Sequence, residues 1–135
     1  RGQLPYLEEH KAKKKEIYLR YQEAFSDIEH IRMNPYLPDT EPNFWLSCMT
    51  LDEGSPVKPL DIMIALEQDD IESRPIWKPM NLQPVFAEDG FVQVCEGKSV
   101  GERIFESGVC LPSDVKNTEE DMDRIISIIR GLFGK

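Results

Sequence analysis

The stretch FWLSCMTL, residues 44–51, decides the fold, because it is the clearest candidate for a strand at the centre of a sheet. In an extended chain its apolar side chains divide between two faces, with Phe44, Leu46 and Cys48 on one and Trp45, Met49 and Leu51 on the other. Apolar residues on both faces predict a central strand that is covered on both sides.

A long helix is predicted upstream of this strand, over residues 4–25. Pro5 suits its first turn, where a missing N–H costs nothing. Apolar residues recur at helical spacing at both ends, starting with Leu4 and Leu7, but the section EEHKAKKKE between them is charged on every side. A helix that packs at its ends and not in its middle is typical of a bridge between two bodies, so this helix is predicted to connect two domains.

Downstream helices are predicted over residues 57–69, 99–108 and 118–134. The second has Ser99 as its N-cap, Glu102 three residues later and Gly108 as its stop. The third begins at Thr118 with Asp121 at the third position, which is a variant of the capping box. Its apolar residues then form one stripe along the helix.

Shorter strands are predicted over residues 28–33, 71–76 and 109–112. Pro75 should place the second of them near an edge of the sheet, because proline cannot donate a ladder hydrogen bond. The fold class is therefore α+β, with a small, largely antiparallel sheet of three or four strands packed with helices. At 135 residues the chain is expected to be a single domain, with residues 28–135 forming the α+β body.

Composition and charge exclude several functions. A net charge of −9 argues against non-specific nucleic-acid binding, which depends on neutralising phosphates. No apolar run approaches the roughly 20 residues needed to cross a membrane, so a membrane partner is not expected. The three cysteines, Cys48, Cys95 and Cys110, are widely spaced in apolar surroundings and are predicted to be buried free thiols in a reducing cytoplasm.

Common catalytic motifs are absent from the sequence. There is no glycine-rich phosphate loop, no GxSxG and no HExxH, and the two histidines, His10 and His30, lie in charged contexts. His30 is expected to be an exposed strand residue. No catalytic residue and no metal site is therefore predicted in this chain.

The segment SRPIWKPMNLQPVF, residues 73–86, is the best candidate for binding. Three prolines restrict it before folding, so it can present side chains at low entropic cost. An arginine and a lysine can meet anionic oxygens, a tryptophan can stack on a ring, and amides can read sugar hydroxyls. The predicted substrate-binding residues are Arg74, Trp77, Lys78, Asn81 and Gln83. In the alternative, the polar residues simply face solvent and the apolar ones are core anchors, namely Trp77, Met80, Leu82, Val85 and Phe86.

The chain resembles the C-terminal region of the DegT/DnrJ/EryC1/StrS family, which comprises pyridoxal-phosphate-dependent aminotransferases of fold type I that act on nucleotide-linked keto sugars. The resemblance rests mainly on DIESRPIWKPMNLQPVF and on ERIFESGVCLPSDVKNTEEDMDRIISIIRGLF, and it covers essentially the whole chain. It implies a C-terminal domain that supplies substrate contacts and domain closure for amino-sugar synthesis in surface polysaccharide or glycan formation.

Partners and cofactor follow from the same resemblance. The partners it implies are an upstream domain that binds pyridoxal phosphate, a nucleotide-sugar, an amino donor and a second copy in a homodimer. The family's Schiff-base lysine follows a Ser-x-Phe element that does not occur here, and none of the nine lysines has that context. The chain alone is therefore expected to be inactive and to bind no cofactor.

One departure from the family concerns Asn81, where relatives commonly have histidine, so no imidazole chemistry can be carried over to this position. A second interpretation also remains open at this point. The chain could instead be an independent, non-catalytic α+β module that binds a ligand or a partner.

Overall fold

The computed structural model describes Gly2, residues 4–94 and residues 96–135. Within these residues, four α-helices and one four-stranded sheet confirm the expected α+β fold. The helices are α1 (Leu7–Ala24), α2 (Pro59–Glu67), α3 (Val100–Ser107) and α4 (Glu119–Leu132). The strands are β1 (Ile31–Met33), β2 (Ser47–Leu51), β3 (Arg74–Pro75) and β4 (Gly108–Leu111). Across the described ranges, every helix is too short or too polar to cross a membrane.

All neighbouring strands pair antiparallel, in the order β1-β2-β4-β3. Strand β2 is therefore central, as its apolar sequence predicts. Cys48 of β2 lies directly opposite Cys110 of β4, and Arg74 of β3 lies opposite Cys110 on the other side. The edge position of β3 agrees with Pro75, whose nitrogen has no hydrogen to donate.

The strand predicted over residues 44–51 begins only at Ser47. Phe44 has a positive φ of 50°, so the chain is not extended there. Its ring is buried against two tyrosine rings, with centroids 5.2 and 5.3 Å away. Trp45 consequently lies outside the strand and is 64% exposed. The assignment of faces is correct for Met49 and wrong for Phe44 and Trp45.

The hydrophobic core lies between one face of the sheet and helices α1, α2 and α4. Met49 and Val109 come from the two central strands and are fully buried there. Because side chains alternate along a strand, Cys48 and Cys110 point to the opposite face. That second face is covered by α3 and by the segment that follows β3.

Only the C-terminal half of α1 is buried against the domain. The hydroxyl of Tyr21 donates a 2.8 Å hydrogen bond to the carbonyl oxygen of Pro112, and that of Tyr18 donates a 2.7 Å bond to Asn34. The other end does not pack on this domain, since Leu4 and Leu7 are 68% and 54% exposed, and its predicted contact with a second domain stays a prediction. The start of α1 and the 3-10 turn before it, Leu4–Tyr6, thus present apolar side chains to solvent.

Helix α2 is shorter than the predicted range 57–69, and it buries one narrow stripe. Ile62 and Leu66, four residues apart, have no exposed surface. Leu60 and Ile64, on another side of the helix, are 59% and 44% exposed. The helix is oriented so that Ile62 and Leu66 face α4.

The predicted helix caps are confirmed at α3 and α4. The Glu102 N–H donates to Ser99 Oγ at 3.2 Å, and the Ser99 N–H donates back to the Glu102 carboxylate at 3.3 Å. Thr118 and Asp121 form the same reciprocal pair before α4. Gly108 ends α3 as expected, but it does so by entering β4 in an extended conformation.

Strand boundaries differ from the sequence expectation where turns intervene. β1 begins at Ile31, and the residues before it form a turn that buries Ile28. β3 keeps only two residues of the predicted range 71–76, because proline interrupts the ladder. β4 begins and ends one residue earlier than expected, at Gly108 and Leu111.

Candidate functional site

The proline-rich segment leaves the edge strand β3 and folds into two short 3-10 turns, Met80–Leu82 and Pro84–Phe86. Backbone N–H groups of Leu82 and Gln83 donate to carbonyl oxygens three residues earlier, at 3.0 Å each. Fixed proline φ angles and these local bonds together give the segment a defined course. The segment is therefore ordered by local interactions, as its sequence predicts.

A groove of about 510 Å³ lies between this segment, α3 and the second face of the sheet. Three of the predicted binding residues, Arg74, Trp77 and Lys78, line it. Side chains from distant parts of the sequence complete the walls, among them Leu46, Phe105, Cys110 and Ser113. This groove is the candidate functional site.

Arg74 stands at the rim of the groove with its guanidinium exposed. Its Nε donates to Glu72 Oε1 at 2.7 Å, and its Nη2 also bonds to that oxygen. The carboxylate therefore occupies one edge of the guanidinium and leaves the Nη1 side open. That side can donate to an anionic oxygen of a ligand.

Trp77 is paired with Trp45, a residue that sequence analysis placed in a strand. The ring centroids are 5.7 Å apart with an interplanar angle of 37°, and more than half of each residue is exposed. The Nζ of Lys14 in α1 donates to the Trp45 carbonyl oxygen at 3.1 Å and also bonds to the Ser113 carbonyl. Trp77 is thus not a core anchor, and the alternative of a buried role is wrong for it.

The other three predicted residues, Lys78, Asn81 and Gln83, are less closely associated with the groove. Lys78 is exposed, and its carbonyl oxygen accepts a 3.2 Å bond from the Gln83 side-chain amide. Gln83 therefore closes the turn instead of facing the groove. Asn81 is half-buried in the first 3-10 turn, and neither amide is among the described residues that line the groove.

The residues that sequence reasoning missed come from other elements. Phe105 reaches the groove from α3, and Ser113 follows β4. Their contribution depends on β4 lying beside β3, which no local pattern reveals. Trp45 lies 28 residues before the predicted binding segment in the sequence, so its pairing with Trp77 carries no local sequence signal.

Two thiols lie beside Arg74, at facing positions on the neighbouring strands of the sheet. The sulfur atoms of Cys48 and Cys110 are 3.5 Å apart, and both cysteines are free. Cys110 is buried as predicted, whereas Cys48 is only half-buried, and Cys95 lies outside the described residues. Burial raises the pKa of the Cys48 thiol to about 12, and the neighbouring thiol adds to this shift.

Other titratable groups give no catalytic arrangement in the described ranges. His30 lies in the turn before β1, not in a strand, with its Nδ1 2.8 Å from Asp52. This contact lowers the pKa of the Asp52 carboxyl. No cluster of three or more metal-ligating side chains occurs among the residues that the structure describes.

The chain belongs to the DegT/DnrJ/EryC1/StrS aminotransferase family, whose profile matches residues 1–130. It is 37% identical over 132 residues to EpsN of Bacillus subtilis, a protein named as a pyridoxal phosphate-dependent aminotransferase. It is 26% identical over 129 residues to GDP-perosamine synthase of Caulobacter vibrioides. The alignments cover 98% and 95% of this chain but only 34% of each relative.

Solved structures show the same fold. A DegT DnrJ EryC1 StrS aminotransferase from Brucella abortus superposes with a TM-score of 0.82 at 23% identity, over 99% of this chain and 34% of that one. The Helicobacter pylori aminotransferase PseC gives a TM-score of 0.82 at 16% identity, over 98% and 35%. The chain thus spans about a third of the length of the proteins it matches, and it has the fold of one part of a fold-type I aminotransferase.

Proposed function

We propose that this chain acts as the small domain of a pyridoxal-phosphate-dependent aminotransferase that aminates a nucleotide-linked keto sugar. Family membership supports the reaction class, and the name of the Caulobacter relative supports a nucleotide-sugar. The observation that carries the proposal is the placement of Arg74 and Trp77 on one groove by a stiff segment. The independent-module alternative has no comparable support.

The groove offers the groups that a sugar nucleotide requires. The open side of the Arg74 guanidinium suits a phosphate oxygen, which arginine binds with two parallel N–H groups. The exposed faces of Trp77 and Trp45 suit a flat ring or the apolar face of a sugar. Lys78 adds positive charge at the rim. Asn81 and Gln83 support the turn and, in a closed enzyme, could reach sugar hydroxyls.

The residues of the groove do not fit a binding site for the cofactor itself. Pyridoxal phosphate supplies an electron sink for the carbanion chemistry of amino transfer. A lysine that binds it covalently is activated by burial or by a neighbouring cation, whereas Lys78, the lysine of the described groove lining, is exposed. We therefore assign the cofactor to another part of the whole enzyme. The role of this chain is to orient the sugar and to exclude water.

Helix α1 is suited to connect the two parts. Leu4 and Tyr6 of the preceding 3-10 turn (Leu4–Tyr6) and Leu7 at the start of α1 are exposed, while the last turns of the helix are anchored in this domain. We propose that the exposed end packs on the cofactor-binding domain, so that movement about α1 closes the cleft. A homodimer and a cytoplasmic location complete the proposal, and the free thiols Cys48 and Cys110 support the latter.

The test uses the whole protein that contains this chain, loaded with pyridoxal phosphate. L-Glutamate as the donor is combined with a panel of GDP-linked and UDP-linked keto sugars, and products are identified by mass spectrometry. An amino sugar that forms only when both donor and cofactor are present supports the proposal. Tight binding of a sugar nucleotide without transfer from glutamate, alanine or glutamine would instead support a non-catalytic binding module.

A further inference from the structure

Cys48 and Cys110 occupy facing positions on the two central strands, with their sulfur atoms 3.5 Å apart. The backbone of Cys48 is turned away from β4. Its N–H donates to the side chain of Asn34 at 2.9 Å, and its carbonyl accepts from the Asn34 N–H at 2.8 Å. Cys48 and Cys110 are therefore a non-hydrogen-bonded pair, the type in which facing side chains lie closest.

Such a pair has the dimensions of a disulfide. Facing α-carbons at a non-hydrogen-bonded site are about 4.5 Å apart, and disulfides join α-carbons separated by about 4.4 to 6.8 Å. Closing the sulfur atoms to a bond of about 2.05 Å thus requires side-chain rotation and not separation of the strands. We propose that Cys48 and Cys110 form a reversible disulfide, which makes the pair a redox modification site next to the groove that Cys110 lines.

The oxidant is a low-molecular-weight disulfide such as oxidised glutathione. The Cys48 thiolate attacks one of its sulfur atoms, breaks its S–S bond and releases one glutathione. The Cys110 thiol, after losing its proton, attacks the mixed disulfide at Cys48 and expels the second glutathione. Two electrons pass from the cysteine pair to the oxidant, and the two protons end on the two glutathione thiols.

Access determines the order of these steps. Cys48 is half-buried, whereas Cys110 is 7% exposed and can be reached mainly by its neighbour. The high pKa of Cys48 keeps the thiolate scarce at neutral pH, so oxidation is slow and accelerates in alkaline solution. The disulfide would link β2 to β4 at the position next to Arg74, because Arg74 of β3 lies opposite Cys110 on the other side of β4.

The experiment incubates the whole native protein with oxidised glutathione, blocks remaining thiols and digests after glutamate. Glu53 and Glu88 separate Cys48 from Cys95, and other glutamates separate Cys95 from Cys110, so each cysteine has its own peptide. The expected product is a linked pair of the Cys48 and Cys110 peptides that disappears on reduction. Its rate of formation should rise about tenfold per pH unit between about pH 7 and pH 9.

Variants supply the controls. Cys95→Ser should retain the linked peptides, whereas Cys48→Ser and Cys110→Ser should each abolish them. The wild-type result decides the matter if a variant fails to fold. Complete conversion of Cys48 to its glutathione adduct with no link to Cys110, or a link to Cys95 in the native protein, would overturn the proposal.

Discussion

Gly108 lies directly against Ile76. A Cβ atom at Gly108 would stand 2.2 Å from Ile76 Cδ1 and 2.6 Å from the carbonyl oxygen of Ile104. The φ of Gly108 is −108°, a conformation open to any residue, so glycine is needed here for close approach and not for backbone freedom. This contact seats the segment that carries Arg74 and Trp77 on β4.

Replacing Gly108 with alanine should therefore destabilise the domain. Ile76 must move, and the Ile104 carbonyl cannot retreat without disturbing the end of α3. Overpacking of this kind typically costs about 1 to 3 kcal/mol. Urea denaturation should show a lower midpoint for Gly108→Ala with an unchanged slope.

Gly131 in α4 provides the matched control, because a Cβ there meets nothing within 4 Å. Gly131→Ala should leave the free energy of unfolding unchanged or raise it by up to about 1 kcal/mol through helix propensity. Equal stability of Gly108→Ala and the wild type would show that the contact with Ile76 is looser than described.

A second prediction concerns the contribution of the buried Tyr21 hydroxyl to stability. Tyr21→Phe removes its bond to the Pro112 carbonyl and leaves that oxygen with one partner fewer in a buried region. The loss should be about 1 to 3 kcal/mol of unfolding free energy. Tyr6→Phe, at a residue that is 56% exposed, should have no measurable effect. A similar small effect for both variants would contradict the importance of the Tyr21 bond.

The same tyrosine should make the stability of the domain depend on pH in alkaline solution. Burial raises the pKa of Tyr21 well above its ordinary value. The unfolded chain then loses the proton first, so the stability that Tyr21 contributes is complete below about pH 10 and declines as pH rises above it. Between about pH 9 and about pH 11, the wild type should lose more unfolding free energy than Tyr21→Phe. Parallel declines would mean that Tyr21 titrates normally in the folded state.

Local chemistry made much of the fold predictable. The caps at Ser99 and Thr118 are reciprocal bonds within four residues, so their sequence signature is sufficient. The central position of β2 followed from apolar residues on both faces, and the edge position of β3 followed from Pro75. These features depend on neighbours in sequence and little on the rest of the chain.

Features set by tertiary packing were not predictable. Phe44 takes a positive φ because its ring is buried between tyrosines from other elements, and this shortens β2 and frees Trp45. The candidate site shows the same division. Arg74 and Trp77 were identified from their own segment, whereas Phe105 joins the groove only because β4 lies beside β3.

The last prediction concerns Arg74 in the whole enzyme. Glu72 Oε1 accepts from its Nε and Nη2, which fixes the guanidinium and leaves the other side for a ligand oxyanion. Arg74→Lys keeps the charge but loses the planar fork. If the fork binds the nucleotide-sugar, the loss should be about 1 to 3 kcal/mol, or about 5- to 150-fold in KM, with kcat nearly unchanged.

A purely structural role for Arg74 predicts a different pattern. An exposed pair with Glu72 contributes at most about 1 kcal/mol to stability and nothing to turnover. Arg103→Lys is the matched control, since Arg103 is an exposed arginine of α3 that donates to the Lys98 carbonyl and lines a different groove. Steady-state kinetics should show a raised KM for Arg74→Lys and a larger rise for Arg74→Ala, with Arg103→Lys unchanged. If both Arg74 variants keep the wild-type kcat/KM while only the Tm falls, Arg74 fixes the loop and does not bind the substrate.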